Sequence, residues 1–259
     1  MIVTGSKRVL KPSTRVELDW SAPINRGLTG YWLGWEGAGN TIEDMTGNRL
    51  ALTGDQPWVQ TIEGCAKGGK DGAGHYLTNA SYTQSASVTF AIRIYLTAVA
   101  TDRPGNMMSV QSTYSSAGIG LWVGYINSTD PFFSVGGNLA RASTGLIATG
   151  NYYTLVGTYD GTTIRLYLNG YEVANLAYAG GVGTQSHNLW MGSEQLNNPQ
   201  YIWAGTWNRA LSAEEVKSLH FDQYQGLQGS KLLDIGAYAS TSAPPSGGFL
   251  NRNYWWDNY

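Results

Sequence analysis

The chain has 259 residues, of which 42% are hydrophobic, and this is enough for one sizeable core in a single large domain. Charged residues make up only 13%, about half of the usual share. The net charge of −2 gives no electrostatic reason to expect a nucleic-acid partner. No apolar run approaches ~18 residues, so we expect no membrane partner, and the single cysteine, Cys65, excludes an internal disulfide.

Residues 1–26 are predicted to form an extended N-terminal arm, because Pro12 and Pro23 interrupt them and they show no hydrophobic period. The arm carries cationic side chains that would suit an acidic surface of a partner protein: Lys7, Arg8, Lys11 and Arg15. The first ten residues lack the apolar stretch of a secretory signal peptide. We therefore expect the protein to be made and kept in the cytoplasm until it is assembled elsewhere.

The next part of the chain predicts many short strands. Residues 27–52 read as a strand, a glycine-rich turn and a second turn at 44–48. Between residues 87 and 96 a strict alternation puts one apolar set on a single face: Val88, Phe90, Ile92, Ile94 and Leu96. Shorter strands are predicted at 107–111, 118–126, 132–135, 146–148, 188–192 and 201–207. Short strands separated by turn residues predict an all-β sandwich or jelly roll.

The clearest local signal is a hairpin over residues 152–170. Two runs rich in β-branched and aromatic residues flank Asp160-Gly161, a pair that favours a tight antiparallel turn. After this turn Ile164, Leu166 and Leu168 alternate with polar and aromatic residues. The core is therefore predicted to be an antiparallel sheet.

A single short helix is predicted near residues 212–221. Ser212 and Glu215 have the spacing of a capping box, in which each side chain caps the other residue's backbone N–H. Leu211 and Val216 could form a hydrophobic staple across the first turn, and Val216 and Leu219 would face the core.

Residues 228–259 are predicted to be an extended C-terminal arm with a proline- and glycine-rich stretch. Its last residues include large aromatic side chains of the kind that anchor protein interfaces: Tyr254, Trp255, Trp256 and Tyr259. We expect at least one arm to run across another subunit, either a second copy of the chain or a different protein.

Three segments together resemble a known family. Residues 27–48, the hairpin at 157–170 and the strand and helix at 207–216 are similar, in order and spacing, to laminin-G-like, concanavalin A-like lectin and glucanase domains. This resemblance implies that residues 27–227 form one domain, a two-sheet antiparallel jelly-roll sandwich, flanked by the arms at 1–26 and 228–259.

Many members of this family bind calcium with the help of an acidic residue in the strand before the 207–216 segment. Here that strand, residues 201–206, has no carboxylate. Asp44 is the one candidate for calcium, and a turn aspartate that bonds nearby backbone is the favoured alternative. We therefore predict no metal and no cofactor.

Aromatic residues on predicted strands are candidates for stacking on sugar rings, whose C–H faces are apolar. They are Tyr95, Trp122, Tyr125 and Tyr167. The alternative is that these rings pack against loops or a neighbouring subunit, and this alternative is favoured.

No catalytic constellation is visible. Jelly-roll glycoside hydrolases place two carboxylates across the scissile bond, and the nearest match, Glu17 and Asp19, has Ala22 where a third acid would stand. The three histidines are scattered without metal-ligand spacing. We therefore predict that the protein is not an enzyme.

Residues 19–28 are similar to versions of this domain in tailed-bacteriophage virion proteins. This resemblance implies a non-enzymatic accessory protein of a virion, on the capsid or tail, that is made in the host cytoplasm. Its partners would be a major capsid or tail protein and further copies of itself, and its lectin-like fold could contact host-surface glycans. A carbohydrate-binding adhesin is the main alternative, and a glycoside hydrolase is the third.

Overall fold

A computed structural model describes residues 16–68, 77–79, 82–83, 85–98, 105–110, 118–125, 128–182, 188–192 and 199–228. The side chains of Tyr125 and Ser128 are not described. The predicted contact residues of the two arms also lie outside the described residues: Lys7, Arg8, Lys11, Arg15, Tyr254, Trp255, Trp256 and Tyr259.

Strands dominate the described part of the chain. The first eight are β1 (Leu28–Trp32), β2 (Thr41–Ile42), β3 (Leu52–Gly54), β4 (Trp58–Thr61), β5 (Gly64–Gly68), β6 (Leu77–Asn79), β7 (Val88–Leu96) and β8 (Gly105–Ser109). The next eight are β9 (Ile119–Tyr125), β10 (Ser128–Val135), β11 (Asn138–Arg141), β12 (Asn151–Tyr159), β13 (Thr163–Leu168), β14 (Tyr171–Ala177), β15 (Leu189–Met191) and β16 (Pro199–Trp207). A 3-10 helix spans Pro23–Asn25 and the helix α1 spans Ala213–Phe221.

The strands form two antiparallel sheets. The first sheet has the order β14-β13-β12-β7-β16-β5-β4, and β1 also pairs with β16. The second sheet has the order β11-β10-β9-β8-β15-β6-β3-β2. The predicted all-β sandwich of two antiparallel sheets is confirmed. Among the described residues no helix is long and apolar enough to span a membrane.

The main core lies between the two sheets. Every second residue of β7 is fully buried there, from Val88 to Leu96, as the alternation predicts. The hairpin of β12 and β13 contributes Leu155, Ile164 and Leu166 to the same core. Its turn forms as predicted, because Asp160 Oδ1 accepts hydrogen bonds from the backbone N–H groups of Thr162 and Thr163.

A second core covers the outer face of the first sheet. It combines α1 with residues from both ends of the described chain, including Leu18, Ile24 and Leu227. Leu18 and Leu227 form an antiparallel bridge, and the backbone N–H of Gln228 donates to the carbonyl of Glu17 at 2.7 Å. Residues 16–26, predicted as part of the N-terminal arm, instead pack on the domain because their apolar side chains complete this core.

Helix α1 begins as predicted. Ser212 Oγ accepts from the backbone N–H of Glu215 at 3.2 Å, and Glu215 Oε2 accepts from the backbone N–H of Ser212 at 2.9 Å. Val216 and Leu219 are buried. The capping box therefore fixes the start of the helix. The apolar side chains of Val216 and Leu219 pack on the outer face of the first sheet.

One predicted strand differs from the structure. Residues 146–148 form a loop rather than a strand, with Ile147 buried and Leu146 41% exposed. In the same region β11 was not predicted. It pairs with β10 across a turn in which Gly136 and Gly137 both have positive φ.

Candidate functional site

Half-buried polar and aromatic side chains meet on the outer face of the first sheet, near the end of α1. Tyr95 on β7 lies opposite Tyr152 on β12 and Gln200 on β16. Arg93, two residues earlier on β7, lies opposite Thr154. Because cross-strand partners point to the same face of a sheet, these side chains share one surface.

An ion pair forms the centre of this surface. Arg93 Nε donates to Glu63 Oε2 at 3.0 Å and Arg93 Nη2 donates to Glu63 Oε1 at 2.5 Å. Glu63 comes from the turn between β4 and β5. Both side chains are mostly buried, with 14% and 15% exposure. The two parallel hydrogen bonds hold the guanidinium and the carboxylate in one fixed plane.

Thr154 connects the ion pair to α1. Its Oγ1 accepts from Arg93 Nη1 at 3.2 Å and lies 3.1 Å from Nδ1 of His220, in the last turn of the helix. Burial lowers the pKa of His220, Arg93 lowers it further, and Glu63 partly offsets this effect. The imidazole is therefore expected to be neutral at pH 7.

Two tyrosine rings lie beside the ion pair. The ring centres of Tyr95 and Tyr152 are 4.7 Å apart at an interplanar angle of 44°. The guanidinium carbon of Arg93 lies 5.4 Å from the centre of the Tyr152 ring, within range of a cation–π contact. Both rings are half-buried, so packing orients them while part of each stays open to solvent.

Exposed apolar residues occur next to this cluster. Ile62, which precedes Glu63, is 61% exposed, and Phe221 is 59% exposed with its ring edge against His220 at 5.2 Å. Tyr171 is 57% exposed, and Lys217 Nζ of α1 lies 5.6 Å above its ring. We call this surface the Tyr95 patch, and it consists of Ile62, Glu63, Arg93, Tyr95, Tyr152, Tyr171, Gln200, His220 and Phe221, with the fully buried Thr154 beneath it.

One of the four predicted sugar-stacking residues, Tyr95, lies in the patch. Tyr167 is on the same sheet face but is only 2% exposed, because it belongs to the core that α1 covers. Tyr167, a stacking candidate, is therefore packed within the chain and is not accessible to a sugar ring. The side chain of Tyr125 is outside the described residues.

Trp122, another stacking candidate, is also packed within the chain. It lies on the outer face of the second sheet, opposite Phe132, and the two rings stack with centres 6.2 Å apart. Its Nε1 donates to Ser134 Oγ at 2.9 Å, and the residue is 3% exposed. The ring is thus occupied by contacts within the chain instead of being open to a sugar.

Asp44 organises a turn. Oδ1 accepts from the backbone N–H groups of Tyr31 and Thr46 at 3.1 and 3.0 Å, and Oδ2 accepts from that of Leu50 at 3.2 Å. Both oxygens are thus occupied by donors that a calcium ion would have to displace. In the part of the chain that the structure describes, no three His, Cys, Asp or Glu side chains are grouped as metal ligands.

The two acids nearest to a hydrolase pattern lie away from the Tyr95 patch. Asp19 Oδ1 accepts from the backbone N–H and the hydroxyl of Ser21 at 3.0 and 2.6 Å. These bonds lower the pKa of Asp19. Asp19 therefore stabilises a local turn, and Glu17 is an exposed neighbour.

Most residues of the patch were not predicted. Glu63, Arg93, Tyr152 and His220 come from separate parts of the chain, and only the register of the sheet and the docking of α1 bring them together. The one signal in the sequence was the alternation on β7, which places Arg93 and Tyr95 on the face opposite the main core.

Comparisons with known proteins agree with the fold. A family model described as the concanavalin A-like lectin/glucanases superfamily matches residues 68–217, more than half of the chain. A comparison with curated protein sequences gave no match.

Solved structures with the same fold come from several kinds of protein. Domain 4 of an extracellular arabinanase from Geobacillus stearothermophilus, in complex with arabinotriose, is 16% identical with a TM-score of 0.59, and the match covers 74% of this chain and 98% of that one. The ligand-binding domain of botulinum neurotoxin serotype D, in complex with N-acetylneuraminic acid, is 11% identical with a TM-score of 0.60, covering 78% of this chain and 52% of that one.

The sialidase of Trypanosoma rangeli is a further match, at 12% identity and a TM-score of 0.58, covering 76% of this chain and 33% of that one. This chain thus spans only a third of the sialidase and about half of the neurotoxin domain. At these identities the similarity shows the shared fold.

Proposed function

Because the chain belongs to the concanavalin A-like lectin/glucanase superfamily, we propose that it is a non-enzymatic carbohydrate-binding module whose Tyr95 patch contacts the sugar. The observation that carries this proposal is the half-buried pair of Tyr95 and Tyr152 beside a hydrogen-bonding network. Sugars bind where an aromatic face meets their C–H surface and polar groups meet their hydroxyls.

The chemistry of the patch favours binding over hydrolysis. Glycosidases generally need two carboxyl groups on either side of the scissile bond, about 5–10 Å apart. The patch contains one carboxylate, Glu63, and both of its oxygens accept hydrogen bonds from Arg93. A carboxylate held in this way is poorly placed to act as a nucleophile or to give up a proton.

Two structural neighbours support carbohydrate binding by this fold. The arabinanase domain and the neurotoxin domain were each solved with a sugar ligand, so the fold can carry carbohydrate sites. The positions of those sugar ligands are not transferred to this chain. The Tyr95 patch is proposed from the geometry of this chain alone.

The test measures sugar binding by variants that each lack one tyrosine ring of the patch. Tyr95→Ala and Tyr152→Ala should each weaken binding to an oligosaccharide array about tenfold, the loss expected for one stacking ring. Trp20→Ala is the matched control, since Trp20 is 58% exposed and lies outside the patch.

The same incubations should release no reducing ends. Equal binding by Tyr95→Ala and the unaltered protein would show that the patch is not the site. Turnover that disappears in Glu63→Gln would overturn the non-enzymatic part of the proposal.

A second proposal concerns where this module is carried. We propose that it is an accessory protein of a phage virion, bound to a capsid or tail protein and to other copies of itself. The support is the resemblance of residues 19–28, a segment that packs on the domain and presents the exposed ring of Trp20.

Deleting residues 244–259 tests this second proposal. Particles made with the shortened chain should carry less of it than particles made with the full chain. Full occupancy together with a less stable isolated domain would mean that this segment serves its own fold, and the assembly proposal would fail.

A further inference from the structure

The positive charge in the Tyr95 patch is neutralised within the chain. Arg93 directs Nε and Nη2 at the two oxygens of Glu63 and Nη1 at Thr154. Because the ion pair is bidentate and mostly buried, Glu63 already occupies the position that a ligand carboxylate would take.

Among the described residues, the other groups at the centre of the patch add no free positive charge. His220 is held largely neutral by burial and by the neighbouring Arg93, which both lower its pKa. Lys217 is the nearest further cation of α1, and it lies over the ring of Tyr171 at the edge of the patch.

The end of α1 contributes negative potential. The helix ends at Phe221, directly after His220, so its C-terminal carbonyl groups lie at the patch. A helix C-terminus acts roughly as half a negative charge. Asp222 follows as the C-cap, and it is half-buried, which raises the pKa of its carboxyl group.

From this charge arrangement we infer that the Tyr95 patch selects neutral glycans and discriminates against sugars that carry a carboxylate, such as sialic and uronic acids. The inference rests on the proposed function of the patch. A neutral sugar can donate hydroxyl hydrogen bonds to the acceptors and stack its C–H face on the tyrosines, whereas a sugar carboxylate at the centre of the patch would meet Glu63 and the helix end, where the Arg93 guanidinium is already paired. The neurotoxin domain solved with N-acetylneuraminic acid would then differ from this chain in its ligand class.

The test uses pairs of sugars in which only one member carries carboxylate groups. An array would present galactotriose with trigalacturonate, N-acetyllactosamine with its sialylated form, and further pairs of the same design. The full chain should bind the neutral member of a recognised pair at least tenfold more tightly than the acidic member, and Tyr95→Ala should weaken the binding of both members.

A charge variant makes the test specific. Glu63→Gln keeps the size of the side chain but leaves the charge of Arg93 uncompensated, so binding of the acidic members should rise severalfold. Glu43→Gln is the matched control, because Glu43 is exposed and outside the patch. Thermal melting of both variants would verify that they remain folded.

The outcomes separate the two proposals. If no sugar binds, or if binding does not depend on Tyr95, the proposed function fails and the selectivity falls with it. If binding depends on Tyr95 but the acidic members bind as tightly as the neutral ones, only the selectivity is wrong. An unchanged preference in Glu63→Gln would likewise contradict the role of the ion pair.

Discussion

His220 places a titratable ring between α1 and the first sheet, in hydrogen-bond contact with Thr154. Burial and Arg93 lower its pKa below the ordinary value of 6.5. The unfolded chain therefore takes up a proton at a higher pH than the folded one. For a base whose folded-state pKa is lowered, stability is complete above the unfolded-state pKa and is lost as the pH falls below it.

We expect the unfolding midpoint in urea to fall between about pH 7 and pH 5, with His220 contributing part of the decline. His220→Gln keeps a hydrogen-bonding group near Thr154 but cannot titrate, so its midpoint should depend less on pH over this range. Identical pH profiles for the two proteins would contradict the argument.

Gly157 shows how closely the two sheets approach. A Cβ atom at this position would lie 2.2 Å from two atoms of the Phe133 ring, across the main core. Gly157→Ala should destabilise the protein by about 1–3 kcal/mol through overpacking, measured by urea unfolding.

A second substitution checks the cause of this loss. Phe133→Leu in the Gly157→Ala background should recover part of the lost stability, since it removes the clashing ring. If the double variant is no more stable than the sum of the two single losses predicts, the Phe133 contact is not the reason.

At the scale of single elements, α1 and the β12–β13 hairpin were predictable from the sequence because each is specified by residues close together in the chain. The capping box needs only Ser212 and Glu215, and the tight turn needs only Asp160 and Gly161. Such local signals act through hydrogen bonds over a few residues and do not require the rest of the fold.

The cap gives a direct prediction. Ser212→Ala removes the acceptor for the backbone N–H of Glu215 and should cost about 1 kcal/mol in urea unfolding. Ser143→Ala, at an exposed loop position, is the control and should leave the midpoint unchanged. A Ser212→Ala protein as stable as the control would mean that the Ser212 side chain does not cap the helix.

The error at residues 146–148 has a physical reason. A run of three apolar residues occurs both in strands and in loops that bury an apolar side chain. Here Ile147 is buried in the core, and Tyr153 Oη accepts a hydrogen bond from the backbone N–H of Ala148. The missed strand β11 did have a signal, since Gly136-Gly137 suits a two-residue hairpin turn with positive φ at both positions.

At the scale of the whole molecule, the outer core could not be predicted because alternation along a strand says nothing about what covers each face. Tyr167 and Arg93 both lie on the outer face of the first sheet. Tyr167 is 2% exposed because α1 covers its end of that face, whereas Arg93 lies in the Tyr95 patch. The Tyr95 patch depends on the same docking, which joins residues far apart in the chain.

The domain boundary provides a prediction at this scale. A chain that starts at residue 27 loses the buried side chains of Leu18 and Ile24, each worth ~1.5–3 kcal/mol. It also loses the bonds from Asn25 Nδ2 to the Gly226 carbonyl and from Trp207 Nε1 to the Ile24 carbonyl.

We therefore expect the chain starting at residue 27 to be less stable by several kcal/mol than the chain starting at residue 16, measured by urea unfolding of both. Equal midpoints would show that residues 16–26 add nothing to the domain.

The pairing of residues 17–19 with residues 226–228 has a mechanical consequence. If the chain were pulled by residues 16 and 228, the load would reach the Gln228–Glu17 hydrogen bond first, then the Leu18–Leu227 bridge and then the Asp19–Gly226 bond. These contacts would open one after another in an unzipping geometry instead of sharing the force in shear. Residues 17–19 and 226–228 would thus separate at low force.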